Sequence, residues 1–228
     1  MQRLVLWDID GTLVRGGDIG AQVFDVAIER VLGVRPPERV RMSGKTDPQI
    51  VREYLTMLDH HDEQHIPAIL DHLESELAAA EDVIRKHGCV LPGVATILPR
   101  LDADPAFQQS VLTGNIEPNA LVKLAAFGLE RWLDLEIGAY GSDDADRNAL
   151  VPIALERAER IRGIRHSADE VWVVGDSAND LACARAGGVR CLLVATGRAS
   201  LEELAPLGPE VLLPDLANVD EVIRLLSS

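Results

Sequence analysis

Four apolar residues in a row, Leu4, Val5, Leu6 and Trp7, stop abruptly at Asp8. A run without polar alternation reads as a strand covered on both faces, the kind found in parallel sheets. The pattern returns at residues 110–112, 171–174 and 191–194, and more weakly at 211–213. Between these runs the apolar positions take a helical period. Residues 118–127 stop at Gly128, 152–161 open on a proline tolerated only in a first helical turn, and 178–186 stop at Gly187. Strands alternating with helices predict an α/β fold: a Rossmann-like, three-layer parallel-sheet core with right-handed crossovers.

The stretch from about Val14 to Cys89 breaks the alternation. Phe24, Ala27, Ile28 and Val31 keep helical spacing up to Gly33, and Ile66, Ile69, Leu70, Leu73, Leu77 and Ile84 predict one long helix closed by Gly88. No strand-like run intervenes. The expected organisation is a core of residues 1–14 and 90–228, interrupted after its first strand by an all-helical cap of residues 15–89.

Composition narrows the function. With 47% apolar residues, the chain of 228 can bury a sizeable core. The net charge of −15 excludes a nucleic-acid or anionic-membrane surface, both of which need clustered Lys and Arg. Cys89, Cys183 and Cys191 show no metal-ligand spacing and read as reduced, mostly buried thiols. The first apolar run is too short for a signal peptide and no stretch approaches a membrane span, so a cytoplasmic protein is expected.

Candidate chemistry gathers at the carboxyl ends of the predicted strands, where open parallel sheets bind ligands. Four polar clusters fall there: Asp8 to Thr12, then Thr113 with Gly114 and Asn115, then the region of Asp146 and Arg147, then Gly175 to Asp180. Asp8 and Asp10, one residue apart, point to the same side of an extended chain. Their mutual repulsion makes a divalent cation the natural partner, and a carboxylate beside Mg²⁺ can attack phosphorus. A hydroxyl on Thr113 followed by free N–H groups at Gly114 and Asn115 suits phosphate oxygens. Asp176 and Asp180 share one loop. Ser177 followed by Asp180 also fits a capping box, so Asp180 is either a metal ligand or a holder of metal-bound water that caps the helix as well.

The string Asp8-Ile9-Asp10-Gly11-Thr12-Leu13 resembles the first motif of the haloacid dehalogenase superfamily. Thr113, Arg147, and the pair Asp176 and Asp180 are similar in order and context to its other three. Within the superfamily the chain most resembles the phosphoglycolate-phosphatase-like group, whose helical cap follows the first strand. The resemblance implies that Asp8 is the nucleophile of an aspartyl-phosphate phosphatase and Asp10 its general acid and base. Mg²⁺ would be held by Asp8, the main-chain carbonyl of Asp10 and Asp176, with Asp180 either a further ligand or a holder of metal-bound water. The dehalogenases proper lack the second aspartate, so Asp10 implies phosphate chemistry. A phosphomutase would use the same residues, and a non-catalytic phosphate-binding module is a third reading.

Arg147 departs from the superfamily's usual lysine. It either pairs with Asp8 and stabilises the transferring phosphoryl group or forms a surface ion pair with Asp143, Asp144 or Asp146. Lys123 reads as a helix residue away from the strand ends. Residues 41–47 resemble a substrate-specificity loop, with Gly16 and Gly17 as a hinge. Its cations, Arg41 and Lys45, either meet a second anionic group of the substrate or are solvated. His61 and His65 have the spacing of a metal pair but fall in a polar link that reads as a solvated turn. The expected partner is a small phosphorylated metabolite, with the chain acting as monomer or homodimer.

Overall fold

The computed structural model describes residues 2–60 and 62–228. The pairing of His61 with His65 therefore lies outside the described residues. Five parallel strands form the sheet: β1 (Arg3–Trp7), β4 (Phe107–Val111), β5 (Val171–Gly175), β6 (Arg190–Val194) and β7 (Val211–Leu213), in the order β4-β1-β5-β6-β7. The chain leaves β1 to one neighbour, β4, and then crosses to the other, β5. That reversal opens a crevice at the carboxyl ends of these three strands. The register sets Trp7 opposite both Val111 and Val174, so the three strands end at one level.

The two faces of β1 show why its sequence is apolar throughout. Val5 and Trp7 enter the apolar layer under α5 (Val94–Asp102), α6 (Glu117–Ala125) and α10 (Val219–Leu226). Leu4 and Leu6 enter the opposite layer, with α7 (Leu150–Arg162), α8 (Ala178–Ala186) and α9 (Leu201–Leu204). Each such buried side chain contributes roughly 1.5–3 kcal/mol. Trp7 and Trp172 are both fully buried. Cys183 and Cys191 are buried free thiols, whereas Cys89 is exposed.

The helical insert consists of α1 (Ile19–Leu32), α2 (Asp47–Met57), α3 (His65–Ala79) and α4 (Glu81–His87) around its own apolar cluster, which includes Phe24, Tyr54, Ile69 and Leu73. The long helix expected through Ile84 is two helices. It stops at Ala80, whose N–H bonds to both Glu76 O and Leu77 O, and restarts with Glu81 and Asp82 in a favourable first turn. Leu77 and Ile84 are both buried across the break, which is why apolar spacing alone did not reveal it. Two strands absent from the sequence reading, β2 (Val14–Arg15) and β3 (Cys89–Val90), pair antiparallel and join the two ends of the insert. Two residues each are too few for a periodic signal. No helix among the described residues is long and apolar enough to cross a membrane.

Candidate active site

Asp8 follows β1 directly, and its N–H donates to Val174 O at 2.8 Å, which locks it beside β5. Its side chain is almost wholly buried, and Oδ1 accepts from Arg147 Nη2 at 3.0 Å. The same nitrogen donates to Asp180 Oδ1 at 2.5 Å. Arg147 is buried and its surface-pair alternative is not realised: Asp143 is taken by Arg157, while Asp144 and Asp146 accept backbone N–H groups. Asp180 also closes the capping box of α8, its Oδ2 accepting from Ser177 N at 3.0 Å and Ser177 Oγ at 2.6 Å. Both of its oxygens are thereby engaged.

Asp176, which follows β5, is 4% exposed, and among the described residues no donor is recorded for its carboxylate. Asp8, Asp176 and Asp180 each present an oxygen within 4.8 Å of the others. Burial pushes the Asp176 carboxyl up to about 9, and the charges of Asp180 and Asp8 add to it. Burial likewise raises Asp8, to about 7, against the lowering pull of Arg147. One guanidinium among three packed carboxylates leaves negative charge uncompensated, and a buried carboxylate lacking donors fits a divalent cation.

Asp10 opens toward the cavity, with 45% of its side chain accessible. Its Oδ2 accepts from Asn115 Nδ2 at 2.8 Å and from Lys123 Nζ at 2.6 Å. Burial raises this carboxyl, but the Lys123 charge and the two hydrogen bonds outweigh it and hold the group below the ordinary value. Lys123 Nζ also donates to Asn115 Oδ1 at 2.6 Å, so the reading of Lys123 as remote from the strand ends is corrected. Its Cα lies about 9 Å along α6 from the helix start, but helical side chains lean toward the N-terminus and a lysine spans the remainder. If Asp10 is the acid and base that the resemblance implies, Lys123→Met should lower kcat about tenfold, because a misplaced Asp10 forfeits part of what positioned proton transfer supplies. Lys123→Arg should recover most of that loss. Equal defects in the two variants, measured against poor and good leaving groups, would reduce Lys123 to a packing role.

Thr113 is buried, with Oγ1 accepting from Asn115 Nδ2 at 2.8 Å and from Asn115 N at 3.3 Å. Gly114 lies against the backbone of Lys45, where a Cβ would overlap Lys45 O. The loop over 41–47 thus rests on the core. Asp47 N donates to Gly114 O at 2.7 Å, Asp47 Oδ2 accepts from Ile116 N at 2.9 Å, and Thr46 Oγ1 donates to Ala145 O at 2.7 Å. A cleft of about 400 Å³ lies between loop and core, lined by Asp8, Asp10, Thr113, Gly114, Asn115, Lys45, Arg147 and Asp176, with Lys123. Gly16 and Gly17, between β2 and α1, line it too. Arg41 is exposed and does not line the cavity, and Lys45 is bound to Glu53 at 2.5 Å.

Residues 5–185 match the family described as haloacid dehalogenase-like hydrolase. The chain belongs to this family. A phosphoglycolate phosphatase of Pseudomonas fluorescens is 28% identical over 224 residues, covering 96% of this chain and 79% of that protein. Phosphoglycolate phosphatase 1 of Pseudomonas aeruginosa is 29% identical, with the same coverage. In structure the chain is similar to CbbY from Rhodobacter sphaeroides, solved in complex with phosphate, at a TM-score of 0.68 and 20% identity over 96% of each chain. As a member of this family the chain is a hydrolase.

Proposed function

We propose that the protein hydrolyses a small phosphomonoester with Mg²⁺, through an aspartyl-phosphate on Asp8. One juxtaposition supports the reading: the buried Asp8, held by Arg147, faces Asp176, whose carboxylate has no donor among the described residues. Asp8 and Asp176, with the main-chain carbonyl of Asp10, would hold the metal. Asp180, already engaged by Ser177 and Arg147, orients the guanidinium and the loop. When bound, the metal offsets the charge of the phosphate.

An Asp8 oxygen attacks phosphorus, the ester P–O bond breaks, and Asp10 gives its proton to the leaving oxygen. Water then attacks the acyl-phosphate and passes a proton to Asp10. The bond between phosphorus and Asp8 breaks, which releases phosphate. Because Lys123 favours ionised Asp10 at rest, an arriving phosphate that competes for this ammonium lets Asp10 take up the proton it must donate. Phosphoglycolate, named in both Pseudomonas relatives, is the first substrate to try.

The test is a melting series in pH with and without Mg²⁺. Asp8 and Asp176 have folded pKa values raised above the unfolded carboxylate range, chiefly by burial. Their contribution is therefore complete below pH ~4 and lost as pH rises through their folded values, to about pH 9. Metal-free protein should lose Tm over that window. Mg²⁺ should raise Tm most at its upper end and also be required for turnover. A metal-independent Tm together with metal-independent hydrolysis would remove the cation from the reaction.

A further inference from the structure

Of the five cations that line the cavity among the described residues, three are committed to acids. Arg147 holds Asp8 and Asp180, Lys123 holds Asp10, and Lys45 holds Glu53. The other two, Arg15 and Arg198, are exposed side chains that line its mouth. Arg15 Nη2 donates to a neutral group, Thr196 O, at 2.6 Å. No side-chain partner is recorded for Arg198 among the described residues.

Both belong to one loop's surroundings: Arg198 lies in residues 195–198 after β6, and Arg15 donates to Thr196 O of the same loop. Thr196 Oγ1 donates to Gly11 O at 2.6 Å, so the loop is pinned to the turn after Asp10. Gly197 lies so close to Asp176 that a Cβ would overlap its carboxylate. The backbone presenting Arg198 is therefore fixed beside the metal-binding edge of the site. In a chain of net charge −15, guanidinium groups without an acid at the mouth of a cavity mark where external negative charge is received.

We infer that Arg198, with Arg15, forms a subsite for a second anionic group, a carboxylate or a second phosphate, on the substrate whose phosphorus Asp8 attacks. The inference rests on the phosphatase reading and moves the second-anion role away from Arg41 and Lys45. A guanidinium offers a planar fork to either anion. Arg15 stands on the ribbon at the base of the insert, so such a substrate would bridge that ribbon and the core loop.

Three probes separate the sources: ethyl phosphate without a second anion, phosphoglycolate with a carboxylate, and ethylene glycol bisphosphate with a phosphate. Steady-state kinetics with Mg²⁺ on wild type, Arg198→Gln and Arg15→Gln should be paired with calorimetric binding to the same proteins carrying Asp8→Asn. Wild type should prefer one of the anionic probes to ethyl phosphate. Arg198→Gln should lower that preference, as a ratio of kcat/KM, about tenfold through KM, the size of one lost charge-assisted hydrogen bond. Arg15→Gln should lower it less. Whichever anionic probe loses its advantage identifies the anion read. An unchanged ratio in both variants, or a wild type that does not discriminate, overturns the subsite. If wild type hydrolyses none of the probes while Arg198→Gln still weakens binding of the anionic one, the phosphatase reading fails and the subsite stands.

Discussion

Asp8→Asn is expected to abolish turnover, by about 10⁴-fold or more in kcat, while the protein remains folded. An amide nitrogen cannot form the acyl-phosphate, and its oxygen is a far weaker nucleophile than a carboxylate. Stability should move in the opposite direction. Burial pushes Asp8 up to about 7, so near pH 6 the folded protein holds much of this group neutral, and asparagine is close to isosteric with that form. Metal-free variant and wild type should then melt alike at pH 6. At pH 8.5, where the wild type must carry the charge next to Asp176 and Asp180, the variant should be the more stable of the two. Mg²⁺ should raise the Tm of the variant less, because one proposed ligand is gone. Activity within tenfold of wild type would sink the nucleophile assignment, and a lower Tm at pH 8.5 would contradict the charge argument.

The second large effect is expected at Arg147. Its Nη2 bridges Asp8 and Asp180 at 5% exposure, so Arg147→Ala leaves three buried carboxylates without a counter-charge. Breaking a buried pair from one side costs about 3–5 kcal/mol, and loss of a group that stabilises the transferring phosphoryl costs ~10²-fold or more in kcat. Mg²⁺ should recover part of the stability and little of the rate. Arg147→Lys should retain substantial activity. One nitrogen makes both ion pairs, and the buried Nε has no hydrogen-bond partner among the described residues, so the site uses the guanidinium almost as a point charge. Wild-type melting and kinetics in Arg147→Ala would dismiss the buried pair as a functional element. Failure of lysine to do better than alanine would show that the fork geometry matters.

The reach of sequence reading differs sharply among these residues. The core strands were legible because a parallel strand buried on both faces must be apolar throughout, and helices ending at glycine announce their stops. Asp8, Thr113 and Asp176 could be located as strand-end residues for the same reason, since register levels the ends of β1, β4 and β5. Lys123 was misjudged because its Cα position, read from helix periodicity, says little about where a long side chain leaning toward the helix N-terminus ends. The division of α3 from α4 escaped because residues seven apart stay in phase across a single non-helical residue.

What the sequence determined by itself was the α/β layering, the helical insertion after the first strand, and the placing of aspartates at strand ends in a pattern that resembles the family's motifs. All are local properties, carried by runs and periods of fewer than twenty residues. The tertiary structure alone decided which charges are committed. Lys45 finds Glu53 on α2, Arg147 finds Asp8 139 positions away, and Arg198 is left at the cavity mouth. The physical reason is that Coulomb energy and desolvation depend on distance and burial in space, and identical arginines in a sequence acquire different work only once packing has fixed their neighbours.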